Sequence, residues 1–270
     1  MSSERRRRWL QWAAATAATA AAGAPVGAFA QSYPSRAVRL VVGASPGGPS
    51  DFLARMMADL FGPALGQGFV VENRPGASGV PAADVVAKAP ADGHTLLVSG
   101  PASIAVASHL NPRIPYDPMA DFVPVCMLGA GAFAVVAHPS LGAQTMPELI
   151  AAAKARPGAV AYGSGGNGSS GHLCTELFAS LTGVKMLHVP YKGDGQAVND
   201  LLSGQIQVMF TAPNVVMPHV KSGRLKLLAV TSRERPASLP DTPTVHEAAV
   251  RDFEYLGWII VFAPAATPRP

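Results

Sequence analysis

The chain writes one phrase twice: an apolar strand, a glycine-rich turn carrying small hydroxyl residues, then a helix. The first copy runs Val38-Arg39-Leu40-Val41-Val42, Gly43-Ala44-Ser45-Pro46-Gly47-Gly48-Pro49-Ser50-Asp51 and Phe52-Leu53-Ala54-Arg55-Met56-Met57. The second runs Val160-Ala161-Tyr162, Gly163-Ser164-Gly165-Gly166-Asn167-Gly168-Ser169-Ser170-Gly171 and His172-Leu173-Cys174-Thr175-Glu176-Leu177-Phe178. Glycine lets the backbone approach a ligand closely, and the helix start presents unpaired N–H groups with a partial positive charge, so each phrase is a ready anion site. Two such sites in two halves of a chain imply a clamp around something small and negative.

The same grammar fills the rest of the chain. Strand patterns fall at 38–42, 69–72, 95–99, 123–128, 133–138, 160–162, 186–189, 206–210, 225–231 and 257–263. Helical patterns fall at 50–65, 82–88, 147–155, 172–181, 196–202 and 215–221. Alternation of this kind, with short continuous apolar strands, predicts βαβ units and mostly parallel sheets flanked by helices. Thr145-Met146-Pro147-Glu148 and Thr244-Val245-His246-Glu247 read as capping boxes, and Gly183, Gly204 and Gly223 as helix ends. In open sheets of this class ligands collect beyond the carboxyl ends of the strands, where the glycine turns sit.

Residues 1–30 read as a signal peptide: a basic stretch Arg5 to Arg8, an alanine-rich apolar run, and the cleavage pattern Ala28-Phe29-Ala30 before Gln31. Arg6-Arg7-Arg8-Trp9-Leu10-Gln11 also fits a twin-arginine address, with general export as the alternative. The expected compartment is the periplasm. Setting aside Arg5 to Arg8 and Glu4 takes the chain from 21 basic and 17 acidic residues to 17 and 16, a net of +1. With no basic stripe remaining, nucleic acid is not an expected partner. Cys126 and Cys174 are read as two free thiols, a disulfide being the alternative that export permits.

Two enzyme motifs match by letter and fail on chemistry. Gly43-Ala44-Ser45-Pro46-Gly47 has the spacing of a hydrolase nucleophile elbow, but the residue after the serine must donate an N–H to the oxyanion, and Pro46 has none. An exported hydrolase using Ser45 is therefore the rival reading from another class. Gly163-Ser164-Gly165-Gly166-Asn167-Gly168 has dinucleotide-site spacing without the acid at the end of the next strand, which closes on Pro190-Tyr191-Lys192. Seven histidines are scattered with no H-E-x-x-H, so no metal or cofactor is expected. His172, opening the helix after the second turn, is the exception and is kept as a cleft candidate.

Tyr33-Pro34-Ser35-Arg36, Pro46-Gly47-Gly48-Pro49-Ser50-Asp51, Val71-Glu72-Asn73-Arg74-Pro75-Gly76-Ala77 and Ala91-Asp92-Gly93-His94-Thr95-Leu96 follow one another in a familiar order. Pro115-Tyr116-Asp117-Pro118, Gly166-Asn167-Gly168-Ser169-Ser170 and His188-Val189-Pro190-Tyr191-Lys192-Gly193 continue it, as do Leu228-Ala229-Val230-Thr231-Ser232 and Leu239-Pro240-Asp241-Thr242-Pro243-Thr244. In this series the chain resembles the Bug family, the substrate-binding proteins of tripartite tricarboxylate transporters, over residues 33–270.

The resemblance implies a monomeric, non-enzymatic periplasmic receptor with a type II-like binding-protein fold. Its two α/β lobes would close on a carboxylate, whether a di- or tricarboxylate, an amino acid or an aromatic acid, and hand it to a membrane permease. It places the first lobe at 31–131 plus 258–270 and the second at 132–257, with crossings near 133–137 and 258–263. Gly47, Gly48, Ser50, Asp51, Ser99, Pro101 and Ser103 would serve the ligand from the first lobe, with Asp51 read as a brace for the loop. Ser164, Gly165, Asn167, Ser169, Ser170, His172, Tyr191, Lys192, Gly193 and Asn214 would serve it from the second. Pro49 stands where the family usually has a third glycine. The family also continues past the position of Pro270 to rejoin the first lobe, so a shortened first lobe is expected, with a remnant that binds nothing as a further alternative.

Overall fold

A computed structural model describes residues 33–268. The chain divides into residues 1–35, of which only 33–35 are described, and a body of residues 36–270, which is the subject below. The leader and its cleavage site lie outside the described residues. Among the described residues, no helix is long and apolar enough to cross a membrane.

Among the described residues the strands are β1 Val38–Val42, β2 Phe69–Asn73, β3 Thr95–Ser99, β4 Phe122–Ala132, β5 Ala134–Ala137, β6 Ala161–Ser164, β7 Leu187–Pro190, β8 Val208–Thr211, β9 Lys226–Val230 and β10 Leu256–Pro264. The helices are α1 Pro49–Leu65, α2 Val80–Ala87, α3 Ala107–Leu110, α4 Met146–Ala155, α5 Ser170–Thr182, α6 Asp194–Leu202, α7 Pro213–Lys221 and α8 Val245–Ala248. Two five-stranded sheets result, ordered β2-β1-β3-β10-β4 and β7-β6-β8-β5-β9.

In the first sheet β1 pairs parallel with β2 and β3, while β10 pairs antiparallel with both β3 and β4. In the second, β6 pairs parallel with β7 and β8, while β5 pairs antiparallel with both β8 and β9. Each sheet thus has four strands pointing one way and one reversed strand next to an edge. The reversed strands are the two that have just crossed from the other sheet. β4 ends at Ala132 and, one residue on, β5 begins; β10 begins at Leu256, paired with Ala132, directly after Tyr255 N–H bonds Thr231 O at 2.8 Å. A crossing chain enters at the carboxyl ends of the parallel strands, so it has to run against them. The second crossing therefore sits at Tyr255–Leu256, ahead of the 258–263 segment to which the sequence reading assigned it.

Both faces of each sheet are covered, as continuous apolar strands require. In the first, Val38, Leu40 and Val42 pack with Ala54 and Met57 of α1, and Val41 and Leu97 pack with Ala82, Ala83 and Val86 of α2. In the second, Tyr162 and Phe210 pack with Phe178 of α5, and Met209 packs with Ala197 and Leu201 of α6 and Val216 of α7. The first sheet is the less completely covered: Val125 and Met127 on edge strand β4 are 57% and 59% exposed, and Leu60 on α1 is 66% exposed. Cys126 is exposed on β4, Cys174 is buried in the second core, and both are free thiols.

Local chemistry sets the helix starts. Thr244 and Glu247 form a complete reciprocal capping box, whereas at α4 Thr145 Oγ1 accepts from Glu148 N–H and the Glu148 carboxylate reaches back to Gln144 N–H instead. Gly48 and Gly193 precede α1 and α6, and proline opens α1 and α7 at positions where its missing N–H costs nothing.

Candidate functional site

A cavity of about 290 Å³ lies where the carboxyl ends of both sheets meet. Four helices place their first turn on its wall: α1 through Pro49, Ser50 and Phe52, α5 through Ser170 and Gly171, α6 through Asp194, and α7 through Pro213 and Asn214. Each helix start carries roughly half a positive charge on unsatisfied N–H groups. In α5 the cap takes one such group, His172 N–H bonding Ser169 Oγ, and among the described residues nothing takes those of Ser170 and Gly171. Among the described residues, no lysine, arginine or histidine side chain lines the cavity, and Asp194 is the one ionisable residue on its wall. The Asp194 carboxyl is pushed up by burial, against the stabilising Thr211 hydroxyl at 2.7 Å and the Gly165 N–H.

The rest of the wall is apolar. Phe52 and Leu53 of α1, Gly129 to Phe133 at the first crossing and Trp258 and Ile259 of β10 face the same space. Sequence reasoning marked the crossings as hinges and missed them as walls, since it had no reversed strands with which to bring 129–133 and 257–259 side by side. Their small residues were the available signal: at Gly257 a Cβ would stand 2.4 Å from the Phe133 ring, so a larger residue there would fill the crossing.

Of the residues singled out from sequence, Ser50, Ser99, Pro101, Gly165, Ser169, Ser170, Gly193 and Asn214 line the cavity, and the remainder do not. Asp51 is a brace: its buried carboxylate accepts from Gly47 N–H and Arg55 Nε at 3.0 Å and from Asn73 Nδ2 at 2.9 Å. Burial alone would raise this carboxyl, and the hydrogen bonds from Arg55, Gly47 and Asn73 outweigh it, holding it below the usual range. Gly47, in the left-handed region at φ +83°, and Gly48, the α1 cap, shape that loop. Ser103 is fully buried and bonds Ser99 Oγ at 2.7 Å, while Ser164 bonds His188 Nε2 at 2.7 Å. Tyr191 donates to Asp200 at 2.7 Å, and burial, with that bond, pushes its hydroxyl up. His172 turns away from the cavity: its Nδ1 accepts from Gly168 N–H at 3.0 Å.

Asn167 and Lys192 join the two halves through their backbone. Ser78 Oγ bonds Asn167 O, and Lys192 O accepts from Ser45 Oγ at 2.8 Å and Ser45 N–H at 3.3 Å. Ser45 is thereby a latch between lobes, its hydroxyl hydrogen committed to a carbonyl with no imidazole on it.

The sequence profile described as "Tripartite tricarboxylate transporter family receptor" matches residues 53–270. Protein BugT of Bordetella pertussis (strain Tohama I) is 42% identical over 251 residues, 93% of this chain and 76% of that protein. Among solved structures, R. palustris Rpa4515 with adipate is 38% identical with a TM-score of 0.85, over 87% of this chain and 79% of its own. The periplasmic binding protein BugD is 34% identical with a TM-score of 0.83, over 88% and 79%. The chain belongs to this family of solute-binding receptors, which is not a family of enzymes.

Proposed function

We propose that this chain is a periplasmic receptor that closes its two lobes over a small carboxylate and presents it to a tripartite tricarboxylate-type permease. The observation that carries this reading is the convergence of four helix starts, α1 from one sheet layer and α5, α6 and α7 from the other, on one cavity that, among the described residues, takes no cationic side chain on its wall. A carboxylate there receives charge-assisted hydrogen bonds from backbone donors and the positive ends of the helices. The adipate in Rpa4515 supports the ligand class, and BugD supports the compartment. The apolar wall formed by Phe52, Trp258 and Ile259 suits the carbon body of such an acid.

In this reading the lobes divide at Phe133 and between Tyr255 and Leu256. The ligand touches donors from both only when the lobes are shut, so its binding energy favours the closed state. The Ser45–Lys192 and Ser78–Asn167 bonds add to that state without fixing it, since they are a few exchangeable hydrogen bonds.

Ser170→Pro tests the donor role with little cost to the fold. Ser170 is the first residue of α5, where proline is tolerated, and Ser169 has φ −63° and ψ 159°, the extended conformation that a following proline requires. Loss of one charge-assisted donor should weaken binding of adipate, or of whichever carboxylate proves to bind, by about 1.5–3 kcal/mol, roughly 10- to 150-fold. Ser170→Ala, which keeps the N–H, should change it several-fold less. Calorimetry on the two variants checks this, and equal affinities would move the anion away from α5.

A further inference from the structure

Behind the second glycine turn three rings form a pile that the ligand cannot touch. Tyr162 of β6 stacks on His188 of β7 with centroids 4.8 Å apart, and His188 stacks on His172 of α5 at 4.1 Å. Both imidazoles are tied to the turn. His188 Nε2 bonds Ser164 Oγ, which in turn accepts from Gly166 N–H at 3.2 Å, and His172 Nδ1 accepts from Gly168 N–H. Gly165, Ser169 and Ser170, the cavity residues of this turn, lie between and beside those anchor points.

We propose that His172 and His188 are positioning residues that hold the second glycine turn in its ligand-receiving shape only while both rings are neutral. The proposal rests on reading the cavity as the ligand site. The chemistry is direct: the Gly168 N–H needs the Nδ1 lone pair of His172, and a proton there replaces an attraction with a donor facing a donor. Protonating both rings would also set two cations about one ring-stacking distance apart. The groups facing the pile are few. Tyr162 lies on one side with its hydroxyl donated to Glu176 at 2.5 Å, and Glu176, exposed on α5, is the charged group that acts on both imidazoles.

Burial outweighs that carboxylate. It lowers His172, and together with the neighbouring His172 it lowers His188 to about 4. A depressed base gives up its contribution as pH falls: the unfolded chain takes up its proton near the ordinary value of about 6.5 while folded His188 resists until about 4, so the stabilisation that His188 lends the turn is lost across that window. Above it the turn is fully formed. The receptor would therefore load at neutral pH and loosen its grip in acid.

Nuclear magnetic resonance of the isotope-labelled, ligand-free protein from pH 7.5 to 4 tests this without any carboxylate, so its outcome is independent of whether the cavity binds one. Expected are imidazoles that both titrate below the ordinary value of about 6.5, with the Gly168 amide moving in step with His172 protonation. In His172→Phe, which keeps a stacked ring but removes the acceptor, the Gly168 step should vanish and the His188 midpoint should rise towards the ordinary value as its cationic neighbour disappears. Two rings titrating independently near 6.5 with an unmoved Gly168 amide, or a Gly168 step that survives in His172→Phe, would overturn the proposal.

Discussion

Gly195→Val should leave both lobes folded and weaken ligand binding about 100-fold, because it obstructs closure alone. Gly195 is the second residue of α6, and a Cβ there would stand 2.9 Å from the Pro46 carbonyl oxygen across the cleft. That oxygen belongs to backbone held by the Asp51 brace through Gly47, so it cannot swing aside as a side-chain tip would. Overpacking of this kind costs up to about 3 kcal/mol, and a penalty confined to the closed state subtracts from binding, where 1.4 kcal/mol is tenfold. Small-angle scattering should find the variant more open than the parent with ligand present, while the ligand-free melting temperature changes little. Affinity equal to the parent's would mean that the lobes do not need to meet at α6 and the first glycine loop.

Phe178→Ala should have the largest effect on stability. Phe178 is fully buried in α5, with Phe210 at 5.4 Å and Phe253 at 6.4 Å between ring centroids. Truncation removes the filling between α5 and β8 and leaves a hole that three separate elements would have to close, at about 3–5 kcal/mol. The consequence reaches the site, since α5 starts at Ser170 and β8 leads into Ala212 and Pro213 on the cavity wall. Urea unfolding followed by circular dichroism measures the loss; a change below about 1 kcal/mol, the scale of a surface substitution, would contradict the packing described.

How much was legible follows from what each feature depends on. The strands among the described residues carry their own apolar strings, and most helix starts carry proline, threonine, serine or glycine, so local chemistry announced them to within a few residues. Strand direction is another matter. Ala134–Ala137 is buried on both faces whichever way it runs, so a parallel strand and the reversed β5 have the same composition, and only the crossing from the other sheet sets its sense. The helical segment at Ala102–Leu110 went unread because its alanines and serines mark no face, and its place is fixed by partners distant in sequence, such as Tyr116 OH on Ser103 O at 2.6 Å.

The site divides the same way. The family resemblance pointed to Ser50, Gly165, Ser169, Ser170 and Gly193, all of which reach the cavity wall. Distinguishing Gly165 from its neighbours Ser164 and Gly166 needs the pleat of β6 and the His188 bond, neither of which is written locally. Trp258, Ile259 and the 129–133 segment became walls through a pairing between residues more than a hundred positions apart.

The central claim is that this cavity holds a carboxylate through backbone donors and helix starts. Its most direct measurement is a thermal-shift screen of residues 31–270 against matched pairs of acid and neutral amide: adipate and adipamide, malate and malamide, benzoate and benzamide. A ligand that binds only the folded state raises the melting temperature by mass action, by about 2.7 kcal/mol of stability at a hundred times its dissociation constant. The account predicts that at least one acid raises it at micromolar to millimolar concentration, that its amide does not, and that Ser170→Pro weakens the rise. Amides that stabilise as well as their acids would contradict it.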